Sequence, residues 1–420
     1  VTGVWEKSTD QVIKTKMAQM LLNESRSRNK RVLQQNKFRS SAKLGALSEQ
    51  LKGICDERQF FKPKRGLVHL KNGMLDLTAI DENGALHMQP FSPEFRSRNQ
   101  IPVAFDAEAD CPRFKKDLLG RALAKDDIRL LQRWGGLLLL QDNVYHKIMI
   151  LTGTAGGGKS TVMSVFQKMV GTNNCAQLRT EQLLERFEMG AFIGKTALFG
   201  GDVPGNFLME KGAYKIKQLT GGDLFDAELK AARDFVKVEG RFNMGITCNS
   251  RLRVAMDSDA GAYERRLCII KYEAAKPENP VPNFDQWLFE NEGPGILNWM
   301  IEGAVEILQA GKFEVEERHL DMVKDLLEES DSVRSFLRRF VVPQRGADVT
   351  TEELVKAYTE YCDSVGWTAL GTRKLELQLP DLMLELFKVN KSKDVEREGT
   401  KRRGWLHVKL LTEEDAYDED

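Results

Sequence analysis

The stretch Ile148-Met-Ile-Leu-Thr-Gly153-Thr-Ala-Gly156-Gly157-Gly158-Lys159-Ser160-Thr161 decides how this chain is read. Its centre fits G-x-x-x-x-G-K-[ST], a glycine-rich turn between a strand and a helix. The apolar run 148–151 reads as the strand, and a helix is expected from Lys159 toward Val170. Glycines at 153, 156, 157 and 158 let backbone N–H groups close around phosphate oxygens, and the helix N-terminus adds a partial positive charge. Lys159 would reach the β- and γ-phosphates of ATP, the Ser160 hydroxyl would bind Mg²⁺, and Thr161 continues the first turn. ATP and Mg²⁺ are therefore the expected cofactors. A second glycine-lysine-threonine group, Gly190-Ala-Phe-Ile-Gly194-Lys195-Thr196, has three residues between its glycines and runs straight into an apolar stretch. It reads as a turn entering the next strand.

A phosphate-binding loop of this kind needs an acid at the end of a neighbouring strand to hold the Mg²⁺ shell. Ala197-Leu-Phe-Gly-Gly-Asp202 supplies Asp202. Many such ATPases place a second acid beside it as general base, but Val203 follows here. Glu210 is the nearest later acid, and the base is left open.

Outward from the loop, short apolar runs at 148–151, 197–199, 244–247 and 267–270 alternate with helical stretches. That alternation predicts an α/β core with a mostly parallel sheet over residues 141–312. Residues 1–64 read as a basic helical segment. Residues 65–140 read as short strands and turns, with Asn72-Gly73 and Asn83-Gly84 as turn signals, followed by a helix from Pro112 to about Leu140. A helical stretch at 295–308 and an amphipathic helix near 321–340 lead out of the core, with 313–342 as a connector. In 343–412, Thr350 and Glu353 form a capping box that opens a helix to about Asp363. A second helical stretch, 373–387, is interrupted at Pro380. Strand-like runs at 387–389 and 405–410 flank a basic loop, 391–403. Two helices and a basic hairpin resemble a winged helix, in which one helix reads a groove and the wing touches phosphate. Lys391, Lys393, Lys401, Arg402 and Arg403 are its candidate DNA contacts.

The chain has 420 residues, a length suited to two to four domains, and 41% hydrophobic residues, enough for real cores. No apolar stretch is long enough to span a bilayer, and no secretory signal opens the chain, so a cytoplasmic protein is expected. It begins at Val, as a piece of a longer protein would. Net charge is zero, but residues 1–75 carry +10, residues 388–409 carry +5, the tail 413–420 carries −6, and the middle carries −9. Such a sum does not exclude a nucleic-acid partner. Six cysteines form no CxxC pair, and five histidines are scattered. Neither a zinc site nor a disulfide framework is expected.

Further residues follow in a set order. Ile216-Lys217-Gln218-Leu219-Thr220-Gly221-Gly222-Asp223 comes after the acid; then the run 242–248 ending in Asn249; then Asp259-Ala-Gly-Ala-Tyr-Glu-Arg265-Arg266-Leu267 before another strand. This order resembles the superfamily 3 helicases, most closely the phage and plasmid primase-helicases related to the poxvirus primase-helicase. Flanking runs resemble the same family: Asn72-Gly-Met-Leu-Asp76, Ser92-Pro-Glu-Phe95, Asp110-Cys-Pro-Arg-Phe114, Arg186-Phe-Glu188 and Gly295-Ile-Leu-Asn-Trp299.

The resemblance implies an AAA+ P-loop core and a homo-hexameric ring that moves 3′ to 5′ on single-stranded DNA. It makes Asn249 the first sensor, which helps position the attacking water. It makes Arg266 the arginine finger that serves a neighbour's ATP, with Arg265 as runner-up. Lys217 matches the lysine between acid and sensor, and Lys147 points at a neighbour's nucleotide. A hairpin between Asp223 and Phe242, carrying Lys230 and Arg233, would enter the channel and grip the DNA backbone. A primase often lies upstream in this family, and residues 1–75 hold none. The function implied is that of a replicative helicase of a virus, plasmid or integrated element, with forked DNA as substrate and a primase as possible companion. A DNA-binding initiator or loader with an ATP switch is the alternative. A small-molecule P-loop kinase fits poorly, because it needs neither the arginine pair nor the hairpin.

Overall fold

The structure is a computed structural model. It describes residues 4–6, 8–27, 40–54, 60–61, 64–81, 84–230, 235–250, 252–254, 260–365, 367 and 369–412. Two helices open it, α1 (Asp10–Ser27) and α2 (Ser41–Ile54), followed by a three-stranded antiparallel sheet of β1 (Leu67–Leu70), β2 (Gly73–Ile80) and β3 (Leu86–Gln89). The helix expected from Pro112 divides into a π-helical segment, Phe114–Gly120, and α3 (Lys125–Leu140). The buried Glu292 carboxylate accepts the Arg113 and Phe114 N–H groups at 3.0 and 2.9 Å, which satisfies donors a helix start would leave open.

The centre is a five-stranded sheet. Its strands are β4 (Ile148–Gly153), β5 (Cys175–Gln177), β6 (Ala197–Gly200), β9 (Asn243–Cys248) and β10 (Leu267–Tyr272), in the order β10-β4-β9-β6-β5. Every pairing is parallel. This is the expected α/β class with a parallel sheet. Strand β5 was not read from the sequence, because three residues give no periodicity. Side chains alternate between two cores: Met149 and Leu151 face one, Ile148 and Ile150 the other. The first core takes α3, α4 (Lys159–Val170) and α7 (Phe284–Ala310), and also β1 and β2. The second takes α5 (Ala213–Thr220) and α8 (Glu317–Ser330). Between them in the chain lie the hairpin β7 (Leu224–Glu228) and β8 (Phe235–Glu239), and the short α6 (Ala260–Glu264).

The expected boundary at residue 140 therefore cuts through one continuous core. Helices α3 and α7 cross so closely that a Cβ on Gly136 would lie 2.2 Å from Ala304 N, and one on Gly303 would lie 2.1 Å from Gln132 O. Only glycine fits either place.

The amphipathic helix expected over 321–340 is two helices, α8 and α9 (Ser332–Phe340). Asp331 divides them: its carboxylate accepts the Arg334 N–H at 3.0 Å as the N-cap of α9. Helix α8 packs on the central sheet while α9 joins a third core, so the expected connector is split between two bodies. That third core holds β11 (Val341–Thr350), α10 (Thr351–Ser364), α11 (Thr372–Phe387), β12 (Lys391–Arg397) and β13 (Thr400–Leu410), with sheet order β11-β13-β12. The capping box is formed at both ends: Glu353 N–H donates to Thr350 Oγ1 at 3.1 Å, and Thr350 N–H donates to Glu353 Oε2 at 2.8 Å. Helix α11 continues through Pro380. Two expectations are corrected here. Residues 387–389 are not a strand, since Phe387 ends α11 and Lys388 caps it in the left-handed region at φ 60°. The basic loop 391–403 is itself a hairpin, turned by Glu398 and Gly399 at φ 50° and 73°. Among the described residues no helix is long and apolar enough to cross a membrane.

Candidate functional site

Parallel strands bring their C-terminal ends to one edge of the sheet, where loops are free to vary. The loop after β4 wraps there before α4. Gly153, Gly156 and Gly158 adopt φ of 113°, 81° and 109°, which side-chain-bearing residues resist. A Cβ on Gly153 would lie 2.2 Å from Tyr272 O, in the adjacent strand. Lys159, 4% exposed, donates from Nζ to Gly153 O and Thr154 O, each at 2.7 Å. Burial pushes its ammonium below the usual lysine value, and Asp202 and Cys248 pull it partly back. This is a cation held over a backbone cradle by carbonyls alone, an arrangement suited to an incoming phosphate.

A cleft of about 890 Å³ opens over this loop. Lys159, Ser160, Thr161, Gly156 and Gly158 line it together with Asp202 and Asn249, which arrive on other strands. Asp202 follows β6 in the left-handed region, at φ 49°. Two bonds to Thr247 of β9 hold it there, from Asp202 N to Thr247 Oγ1 at 3.0 Å and from Val203 N to Thr247 O at 2.9 Å. Asn249 Nδ2 donates to Asp202 Oδ1 at 2.8 Å. Gly157 lies behind the loop and takes the Arg121 guanidinium on its carbonyl at 3.2 Å. Glu210 does not line the cleft, and Asp117, which does, is held by Arg113 at 2.9 Å.

The sequence reading missed the other wall. Arg113, Lys116, Arg121 and Lys276 line the cleft, so five cations face two carboxylates there. Arg121 also donates to Ala275 O at 2.9 Å, tying the π-helical segment to the residues after β10. Arg113 stands over Phe284 and Trp287 at 4.8 and 4.5 Å. Of these, only Arg113 lay in a motif quoted above; the rest carry no local signal.

The remaining candidates lie at the opposite edge of the sheet. Leu267 pairs with Ile148 and Tyr272 with Gly153, so the residue before β10 sits a full strand length, roughly 17–20 Å, from the loop of its own chain. Lys147 Nζ donates to Arg265 O at 2.7 Å, and Lys217 Nζ lies 5.6 Å from the Tyr263 ring, just before the arginine pair. Neither Lys147 nor Lys217 enters the cleft of its own chain. The two arginines differ in exposure. Arg266 is 6% exposed and donates to Ala262 O at 3.0 Å, whereas Arg265 is on the surface. A finger reaching another molecule has to be accessible, which favours Arg265.

The hairpin β7–β8 is present where expected, with Lys230 exposed near its tip; Arg233 lies outside the described residues. In the C-terminal hairpin, Lys393, Arg402 and Arg403 are exposed, Lys391 stands 5.3 Å from the Trp405 ring, and Lys401 pairs with Asp394 at 2.8 Å. Arg397, in the same basic run, is turned inward onto Glu353 at 2.7 Å and Asp348 at 2.6 Å.

Two family models match. One, described as D5 N terminal like, covers residues 1–119, and the other, a family of unknown function (DUF5906), covers residues 151–266. No curated protein matches the chain. Among solved structures, the apo C-terminal region of NrS-1 aligns with 78% of this chain and 82% of its own, at 13% identity and a TM-score of 0.46. A ligand-bound JCV helicase aligns with 50% of this chain and 61% of its own, at 12% identity and a TM-score of 0.25.

Proposed function

We propose that this chain, whose first 119 residues match the D5 N terminal like family model, is a phage-type primase-helicase of superfamily 3, an ATP-dependent DNA helicase with an AAA+ core that moves 3′ to 5′ on single-stranded DNA. One observation carries the reading. Lys159, Ser160, Asp202 and Asn249 meet at one edge of the parallel sheet, while Arg265 and Arg266 stand at the other. Each chain has half of a hydrolytic site at each end, so a ring of copies, a homo-hexamer in this reading, would complete every site.

In that ring the glycine loop and Lys159 would hold the phosphates of ATP. Ser160 and Asp202 would hold Mg²⁺, which supplies charge neutralisation at the phosphate oxygens. Asn249, fixed by Asp202, would orient the attacking water, and Arg265 from the next copy would stabilise charge developing at the γ-phosphate. Lys230 on the projecting hairpin would grip the strand. The C-terminal unit has the α-β-α-α-β-β order of a winged helix, and its hairpin would contact duplex or forked DNA through Lys393, Arg402 and Arg403. A phage or mobile-element origin and a partner primase are part of the same proposal.

The test is complementation. A chain lacking Lys159 and a chain lacking both Arg265 and Arg266 are each inactive alone; mixed, they should regain ATPase activity, because one interface then holds an intact pair of half-sites. Absence of recovery in co-assembled mixtures overturns the shared site. The second reading, an initiator or loader without unwinding, is favoured by one observation: Val203, buried at 5%, stands where a second acid would serve as base. Fork unwinding by the purified protein separates the two.

A further inference from the structure

A second cleft, of about 210 Å³, lies at the sheet edge opposite the phosphate loop, between the N-terminal sheet and the turn that enters β6. Among the described residues four cations line it, Lys64, Arg96, Arg98 and Lys195, and no carboxylate does; Lys64 is held from behind by Asp76 at 2.8 Å. Its wall is built rather than incidental. Arg96 stacks 4.3 Å over Phe60 and Arg98 4.8 Å over Phe61, and the two rings meet edge to face at 4.9 Å. Trp5 braces both rings at 5.1 and 6.0 Å. Trp5 is itself pinned by Nε1 to Pro93 O at 2.9 Å and by its N–H to Ser97 O at 2.8 Å. Across the cleft, Asn99 Nδ2 holds Gly194 O at 3.0 Å. Stacking leaves the N–H edges of the Arg98 guanidinium free to donate. Among the described residues, Arg98 makes no ion pair, and Phe61 remains 38% exposed.

The turn 190–196 lines the cleft at one end and packs on the hairpin at the other. Asn243 N–H, at the root of β9, donates to Thr196 O at 3.1 Å, and Gly190 packs against Glu228 so closely that a Cβ would lie 2.3 Å from its carbonyl oxygen. We propose that the cleft binds single-stranded DNA, with Arg96, Arg98 and Lys195 on its phosphates and Phe61 stacked on a base. The chemistry favours a single strand. Arg98 and Lys195, which make no ion pair among the described residues, attract phosphate, while an accessible ring attracts the face of a base, which a duplex keeps stacked. This binding role rests on the helicase reading for its substrate class.

The test is anisotropy of a labelled oligo-dT on the full chain, across a salt series. Arg96→Ala with Arg98→Ala should weaken binding and lower the log K against log salt slope by about 1.4, roughly 0.7 for each lost single-strand phosphate contact. Phe61→Ala should weaken binding at least ~5-fold and leave the slope alone, and Phe61→Trp should restore it. On an abasic strand Phe61→Ala should have no effect, a difference that a purely structural role would not produce. Should the arginine pair fail to fold, Arg98→Gln and Phe61→Trp carry the same comparison. Wild-type affinity and slope in the arginine and Phe61→Ala variants overturn the proposal, as does an equal loss on duplex. If Lys230→Ala weakens binding while these variants do not, the cleft alone falls and the helicase reading stands. If the wild-type chain binds no oligonucleotide, both fall.

Discussion

Asn249 and Asp202, 47 residues apart in the chain, are joined by a 2.8 Å hydrogen bond from Nδ2 to Oδ1 across the ends of two adjacent strands. Strand β6 pairs directly with β9, so the residues just beyond each strand emerge side by side above the phosphate loop. The bond orients an acid that would hold metal and an amide that would orient water, and each fixes the rotamer of the other.

Replacing Asn249 with Ala should therefore slow ATP hydrolysis by about 10²-fold, the scale of losing one preorganised polar group at a reacting phosphate. Nucleotide affinity should change only a few-fold. Steady-state ATPase measured alongside nucleotide titration checks this, and an unchanged rate refutes the sensor role.

Lys159→Ala removes the one buried cation held over the glycine cradle. ATP should then no longer raise the melting temperature, and turnover should vanish. Normal hydrolysis in this variant would remove the nucleotide site from the proposal.

The arginine pair separates by burial. Arg265→Ala should abolish hydrolysis while leaving the melting curve in place, because an exposed side chain contributes little to stability. Arg266→Ala should lower the melting temperature as well, since a buried guanidinium and its bond to Ala262 are lost. If only Arg266→Ala stops turnover with no loss of stability, the finger is Arg266 after all.

Acid should unfold the junction of α3 and α8 early. Burial pushes the Asp127 carboxyl up, but His319, the Ala124 N–H and Arg318 outweigh it and hold the carboxyl below its ordinary value. The folded value is the lower one, so this stabilisation is complete above the usual carboxylate pKa of about 4 and is lost as pH falls through the depressed folded value. Asp127→Asn should cost about 3 kcal/mol at neutral pH, as expected for breaking a buried pair, and should flatten the acid limb of the stability profile. Denaturant melts from pH 3 to 7 check both.

In the C-terminal hairpin, Arg397→Ala should lower stability by about 1 kcal/mol, since its partners Glu353 and Asp348 are partly exposed. It should not change the salt slope of DNA binding. Arg402→Ala with Arg403→Ala should lower that slope. An equal effect from Arg397 would mean that its clamp opens on DNA.

Local order set much of this protein in the sequence itself. The glycine loop and its flanking strand and helix needed only a contiguous motif, because strand, turn and N-terminus are chain neighbours. The Thr350–Glu353 capping box was legible for the same reason: its two reciprocal bonds span three residues. The unbroken apolar run at 148–151 identified a strand buried on both faces, and both faces are filled.

What the tertiary structure alone decided concerns distance and exposure. The parallel register sends Lys159 and Arg265 to opposite edges of one sheet, which no spacing along the chain could state. Packing, not motif order, buried Arg266 and left Arg265 at the surface. Arg397 reads as one more base in a basic run until Glu353 and Asp348 are seen to hold it. Arg121, Lys276 and the Phe61–Arg98 wall are assembled from distant segments, so they leave no pattern in the sequence. Hydrogen-bonded turns and periodic faces are local and can be read from residue order. A site's far wall and its exposed charges arise only when the chain has folded on itself.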